Sequence, residues 1–296
     1  LLRIDSVEEV NISRKKLVCV IWKNCNFPNN IIPTKINSDI HHSVFSKIKF
    51  KTGLNKNKLI VRQIDEFLYS SNEGFISKSY HFKPFFSNGS LIVYHEGNTA
   101  PFQKRVSTIR TLLESGYEVL AYSMWIIDRQ PIKYVEGSGN LKFIDHSFLK
   151  FLDEPLRVYF DPIVAGINIL LNENDYEKLI AIGFSGGGWV ITVYSALDKR
   201  IKLSYPVAGS YPLYLRRFRN WSTWQETFPP LLSAANYLDL YVMATDGNGR
   251  RQLQVINKYD GCCYSGMDWK TYADIVRNAS KKIDGSGWDI FIDDTH

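Results

Sequence analysis

The chain has 296 residues, 45% of them hydrophobic and 22% charged, with a formal net charge of +6. That composition supports a sizeable core and excludes disorder over most of the length. The basic residues are scattered, no apolar run is long enough to span a bilayer and no signal-peptide pattern opens the chain, so a solvated basic face is expected rather than a nucleic-acid partner or a membrane span.

In chain order, residues 1–58 read as an N-terminal extension that adds an edge strand or covers one face. Leu17 to Trp22 (L-V-C-V-I-W) is a compact apolar run that predicts a short buried strand. Leu59 to Tyr69 and Phe75 to Phe82 predict two strands joined by the turn Asn72-Glu73-Gly74, antiparallel at one edge. Leu91 to Tyr94 predicts a strand buried on both faces. Val106, Ile109, Leu112 and Leu113 have helical spacing, with Gly116 as the stop. Tyr117 to Met124 follows as a strand. Asp161-Pro162 reads as a helix start, with a capping side chain and then proline at the first helical position. Lys178 to Phe184 predicts a strand, Gly187 to Leu197 a helix, Ile201 to Ala208 a strand, Asp268 to Ile283 a helix and Trp288 to Ile292 a strand.

This alternation predicts an α/β fold, a mainly parallel central sheet with helices on both faces and antiparallel strands at the N-terminal edge. Residues 209–239 are rich in aromatics and proline and read as a small cap-like insertion. The four cysteines, Cys19, Cys25, Cys262 and Cys263, form no C-x-x-C pair, and no histidine cluster has metal-ligand spacing. Free thiols in a reducing, cytoplasmic setting are the simplest reading.

Gly183-Phe184-Ser185-Gly186-Gly187 matches G-x-S-x-G. An apolar strand precedes it and a helix follows, the setting in which a serine on a sharp turn is exposed to substrate and glycines remove the side chains that would clash. On these residues the chain resembles the α/β-hydrolase superfamily from about residue 59 to the C-terminus.

The resemblance implies a serine–acid–histidine order. Ser185 is the implied nucleophile. Two aspartates compete as the acid: Asp260 follows the segment V-I-N-K-Y and is favoured, with Asp246 the alternative. His296 is the only histidine beyond both and is the implied base. Family members carry a helix after this histidine and this sequence has none, so either a longer natural chain or a loosely held terminal histidine is expected. The strand Leu91–Tyr94 ends in His95-Glu96-Gly97-Asn98, where the family commonly has an H-G turn that supplies an oxyanion donor. Glu96 interrupts that pair, which leaves Gly97 or Asn98 as the donor, Asn98 preferred, with the Gly186 amide as the second. His95 reads as loop support rather than as a catalytic group.

The expectation is therefore a serine hydrolase cleaving a small carboxylic ester through an acyl-enzyme, with no metal or organic cofactor. Trp221, Trp224 and Phe228 in the insertion line the substrate's path or form the insertion's own core. A non-catalytic hydrolase-like binding protein is the alternative, and an acyltransferase or peptidase on the same scaffold a further one. Acyl specificity and oligomeric state are not legible in the sequence.

Overall fold

A computed structural model describes residues 1–48, 59–125, 146–216, 223–283 and 287–295. In chain order these form α1 (Val7–Ile21), β1 (Lys35–Asn37), β2 (Val61–Ser70), β3 (Ile76–Pro84), β4 (Ser90–His95), α2 (Val106–Glu114), β5 (Glu118–Tyr122), α3 (Arg157–Glu173), β6 (Lys178–Phe184), α4 (Gly186–Leu197), β7 (Ile201–Val207), α5 (Pro229–Ala234), α6 (Tyr237–Met243), β8 (Arg251–Asn257), α7 (Ala273–Lys282) and β9 (Trp288–Asp293). The chain divides into two compact units. One holds Pro28–Ile144 and Val158–Ile180; the other holds Leu1–Phe27, Asp145–Arg157 and Ala181–His296.

In the first unit the strand order is β1-β2-β3-β5-β4. β1, β2 and β3 pair antiparallel, as does β3 with β5, whereas β4 and β5 are parallel. Gly74, at φ +83°, makes the tight turn between β2 and β3. Every residue of β4 is buried, as the unbroken apolar run Leu91-Ile92-Val93 requires of a central strand. α2 packs on β3 and β5 and ends at Gly116, φ +85°. α3 begins four residues earlier than Asp161-Pro162, which lie inside it. Asp161 does not cap that helix: its carboxylate accepts a hydrogen bond from the Tyr69 hydroxyl at 2.9 Å.

In the second unit the order is β6-β7-β8-β9, with β7/β8 and β8/β9 parallel. α4 packs on β7 and is buried along its whole length. The segment Leu17–Trp22 is not a strand; Leu17 to Ile21 closes helix α1, which packs on α4, α5 and α6. The physical reason lies upstream of the apolar run. The Ser6 side chain caps the Glu9 amide, Glu8 and Glu9 occupy the positive end of the helix, and Val10, Leu17, Val18 and Ile21 share its buried face.

The cysteines are a second correction: none of the four is free. Cys25, at φ +57°, turns the chain back after α1 and pairs with Cys19. Cys262 pairs with its neighbour Cys263. The reading of four free thiols, on which the cytoplasmic expectation rested, is thereby replaced. Among the described residues no helix is long and apolar enough to cross a membrane.

Candidate active site

Ser185 sits between β6 and α4 at φ 54° and ψ −121°, a conformation that side-chain-bearing residues rarely adopt. Three close contacts hold it there. The Ser185 amide donates to the Val207 carbonyl at the end of β7 (2.8 Å). A Cβ on Gly183 would lie 2.2 Å from the Gly187 carbonyl oxygen, so the chain closes on itself across the serine only because residue 183 is glycine. Gly188 packs on Gly209 in the same way. Ser185 is half-buried, and its hydroxyl has no hydrogen-bond partner among the described residues. Gly186 is the first residue of α4; its amide is one of the unpaired donors of a helix N-terminus and lies in the positive end of the helix dipole.

The two aspartates take different places. Asp246 is buried and paired with Arg14 (2.8 Å) and Lys199 (2.9 Å). Burial works to raise its pKa, but the two cations outweigh that and hold the carboxyl below its usual range. The Asp246 cluster belongs to the C-terminal end of α4. Arg14 Nε donates to the Ala196 carbonyl, and Arg250, held by the Asp246 carbonyl, also reaches the carbonyls of Ser195 and Asp198. A helix of 12 residues is about 18 Å long, so the structure does not bring Asp246 to Ser185.

Asp260 lies at the other end, three residues past β8. β8 pairs with β7 through Val255 and Val207, the residue bonded to Ser185. The Asp260 carboxylate accepts hydrogen bonds from the amides of Cys262 (2.8 Å) and Cys263 (3.3 Å), which folds the turn that follows. The chain end returns to the same strand end: Lys258 donates to the Asp293 carbonyl (2.8 Å) and Asn257 Nδ2 to the Thr295 carbonyl (3.4 Å). His296 itself lies outside the described residues, but its neighbour Thr295 is thus held beside the strand from which Asp260 follows.

In the first unit, β4 runs into a locked turn. His95 is buried and stacked on Tyr122, and its Nδ1 donates to the Glu96 carbonyl (2.9 Å). Burial pushes the His95 pKa down to about 4, against the opposing pull of that hydrogen bond, so the ring is neutral at neutral pH. This is the loop-supporting role expected of it. The Glu96 side chain, which sequence reasoning treated as an intrusion in the turn, is 2% exposed and bonded at both oxygens, to the Gly97 amide (3.0 Å) and the Tyr94 hydroxyl (2.7 Å). The Asn98 amide has no partner among the described residues, and its buried side-chain oxygen has none.

Among residues 209–239, Trp224 and Phe228 are half-buried and pack ring on ring, 4.8 Å between centroids. Trp221 lies outside the described residues. Sequence reasoning missed a buried ion pair in this segment. Arg216 meets Glu226 at 3.0 Å and lies over the rings of Tyr237 and Tyr264. Tyr264 and Thr223 also donate to the Glu226 carboxylate. Its signal was the isolated Glu226 in an aromatic segment. Among the described residues no cluster of histidine, cysteine and acidic side chains has the makings of a metal site.

No protein-family model and no curated protein matches the sequence. Solved structures do match. The methylesterase BT1017 is 14% identical with a TM-score of 0.65; the match covers 96% of this chain, which spans only 58% of that protein. Acetyl xylan esterase from Paenibacillus sp. R4 is 14% identical with a TM-score of 0.58, over 100% of this chain and 90% of that one. Acetyl xylan esterase 1 from Thermoanaerobacterium sp. is 15% identical with a TM-score of 0.56, over 98% and 88%. At such identities the likeness is one of fold, and it is the likeness the sequence motif implied.

Proposed function

We propose that this protein, which has the α/β-hydrolase fold, is a carboxylic-ester hydrolase with Ser185 as its nucleophile. The observation that carries the reading is the backbone of Ser185: a non-glycine residue held at φ 54° on a strand-to-helix turn at the start of a helix, its hydroxyl without a partner among the described residues. Such strain costs about 1–3 kcal/mol and persists where the surroundings impose it, most often at functional sites. That the three solved structures named above are esterases supports the same reaction class.

In the proposed mechanism Ser185 Oγ attacks the ester carbonyl while His296 takes its proton. Asp260 holds the imidazole in the required tautomer and stabilises its cation. The amides of Gly186 and Asn98 are the proposed oxyanion donors. The alcohol leaves with the proton from His296. Water, deprotonated by the same histidine, then releases the acid and restores the serine. None of these steps calls for a metal or an organic cofactor. The substrate is a small-molecule ester, with Trp224 and Phe228, and Trp221 beside them in sequence, as its proposed apolar wall. The two cysteine pairs fit an oxidising compartment.

The test is labelling by a fluorophosphonate probe and hydrolysis of p-nitrophenyl acetate, each compared with Ser185→Ala. Labelling and turnover that vanish in a folded Ser185→Ala protein are expected. A folded wild type that neither labels nor turns over leaves the non-catalytic binding protein as the better account.

A further inference from the structure

We infer that the Cys262–Cys263 pair is a redox modification site: bonded, it holds the turn that fixes the Asp260 carboxylate, and reduction by a dithiol frees that carboxylate and lowers turnover. The inference rests on the esterase reading above, in which Asp260 is the acid, and every residue it uses lies in the unit that also holds Ser185.

Residues 258–266 form a loop after β8. The Gly266 amide closes its base by donating to the Lys258 carbonyl (3.1 Å), and the Lys258 amide donates in turn to the Asp293 carbonyl (2.8 Å). The second half of the loop is fastened from inside. The buried Tyr264 donates to the Glu226 carboxylate (2.5 Å), and the Tyr211 hydroxyl donates to the Ser265 carbonyl (3.3 Å). The tip, residues 260–263, has none of these fastenings. A Cβ built on Gly261 would meet nothing within 4 Å, Cys262 is exposed and Cys263 is half-buried. Apart from a long contact from the Asp260 amide to the Asn257 carbonyl (3.5 Å), the hydrogen bonds of the tip are internal to it among the described residues.

Those internal bonds fall on one atom. The amides of Cys262 (2.8 Å) and Cys263 (3.3 Å) both donate to Asp260 Oδ1, whereas Oδ2 has no partner among the described residues. A carboxylate held at one oxygen and open at the other suits the acid of a triad, whose task is to accept an imidazole N–H in a fixed direction. The disulfide joins the same two residues that donate. Its small ring includes the peptide between them, so it limits the backbone torsions there and keeps both amides on Oδ1. With that bond cut, two hydrogen bonds on an exposed loop tip remain, and such elements open readily.

A disulfide that solvent can reach is open to attack by a thiolate. One thiolate of the dithiol attacks Sγ of Cys262, and Cys263 leaves as a thiolate. The second thiolate of the dithiol then attacks the mixed disulfide, and Cys262 leaves in the same way. The S–S bond of the protein is broken, the dithiol is oxidised to its own disulfide, and its two protons pass to the two cysteines.

The probe is dithiothreitol, removed by anaerobic gel filtration before hydrolysis of p-nitrophenyl acetate is measured. The variant Cys19→Ser/Cys25→Ser retains only the Cys262–Cys263 pair. Its kcat is expected to fall about 10–100-fold on reduction, with KM within about twofold, and to return on oxidation with diamide. Cys262→Ser/Cys263→Ser is expected to show the low kcat from the start and no response to dithiothreitol. Hydrogen exchange at the Cys262 and Cys263 amides should quicken about tenfold or more on reduction. If Cys19→Ser/Cys25→Ser does not fold, wild type takes its place, and Cys262→Ser/Cys263→Ser reports what reduction of the other pair does. Unchanged kcat in the reduced protein overturns the inference, as does full turnover in Cys262→Ser/Cys263→Ser or a loss confined to KM. An oxidised wild type without turnover ends the esterase reading instead. Exchange at the two amides then still decides whether the disulfide holds the Asp260 turn, and equal rates in both redox states would show that it does not.

Discussion

Gly209, just past the end of β7, lies so close to Gly188 in the first turn of α4 that a Cβ built on it would stand 2.3 Å from the Gly188 carbonyl carbon. Two backbones meet there without side chains between them. Together with the bond from the Ser185 amide to Val207, this approach sets where α4 starts against β7, and hence where Ser185 is presented.

Gly209→Ala is therefore expected to cost stability and chemistry together. Backbone atoms cannot yield as a flexible side chain would, so a loss of about 1–3 kcal/mol is expected from overpacking. Thermal unfolding checks the first part. The rate of fluorophosphonate labelling, measured well below the midpoint, checks the second; wild-type values for both would show that the close approach does not hold the turn.

Ser185→Gly should be inactive and yet more stable than wild type. Glycine adopts a φ of 54° without strain, which removes about 1–3 kcal/mol of cost, while its greater freedom in the unfolded chain takes back about 0.5–1 kcal/mol. A net gain of about 1 kcal/mol is expected in denaturant unfolding. A loss of stability would mean that the turn is not strained in the folded protein.

Asp246 and Asp260 should separate cleanly. Asp246→Asn leaves Arg14 and Lys199 facing a neutral group and should cost about 3 kcal/mol of stability, with kcat of the folded protein kept. Because the Asp246 pKa is depressed on folding, its contribution is present above the unfolded value and is lost as pH falls through the folded one. Asp260→Asn should do the reverse, with a fall in kcat of about 10⁴-fold and little change in unfolding midpoint. Kinetics and urea unfolding on the two variants decide the assignment, and a catalytic loss at Asp246 alone would invert it.

His95 predicts an acid dependence of stability. Its ring is neutral when folded, with a pKa of about 4 against about 6.5 when unfolded, so the unfolded chain binds the extra proton between those values. Stability contributed by His95 is complete above about pH 6.5 and falls by about 3 kcal/mol on going down to about pH 4. Urea unfolding of wild type and His95→Gln across that window gives the difference. Parallel curves for the two would show that His95 is not held neutral by burial.

How far the sequence reached depended on the range of the forces involved. β4 was legible from an unbroken apolar run, α4 from its strand–turn–helix setting, and Ser185 from glycines within two residues of it, because these are set by local sterics and periodicity. α1 was misread because the run Leu17–Trp22 was taken alone, whereas the Ser6 cap and the helical spacing back to Val10 decide the element. Asp161-Pro162 carried a true local signal for a helix start, overruled by the pairing of Asp161 with Tyr69, 92 residues away.

The site divides along the same line. Sequence order by itself put Ser185, the aspartates and His296 in the order this fold uses, and it marked Glu96 as a departure. It favoured Asp260 over Asp246 only through the resemblance, since both follow apolar segments and stand beside turns. Only the tertiary structure gave them different surroundings, Asp246 with two cationic partners at the far end of α4 and Asp260 three residues past β8 in the turn of Cys262 and Cys263. The same holds for the Glu226 carboxylate, which meets Arg216 and Tyr264. Each depends on which groups meet across a folded distance, and charge pairing, desolvation and hydrogen-bond closure exist only once the chain has brought those groups together.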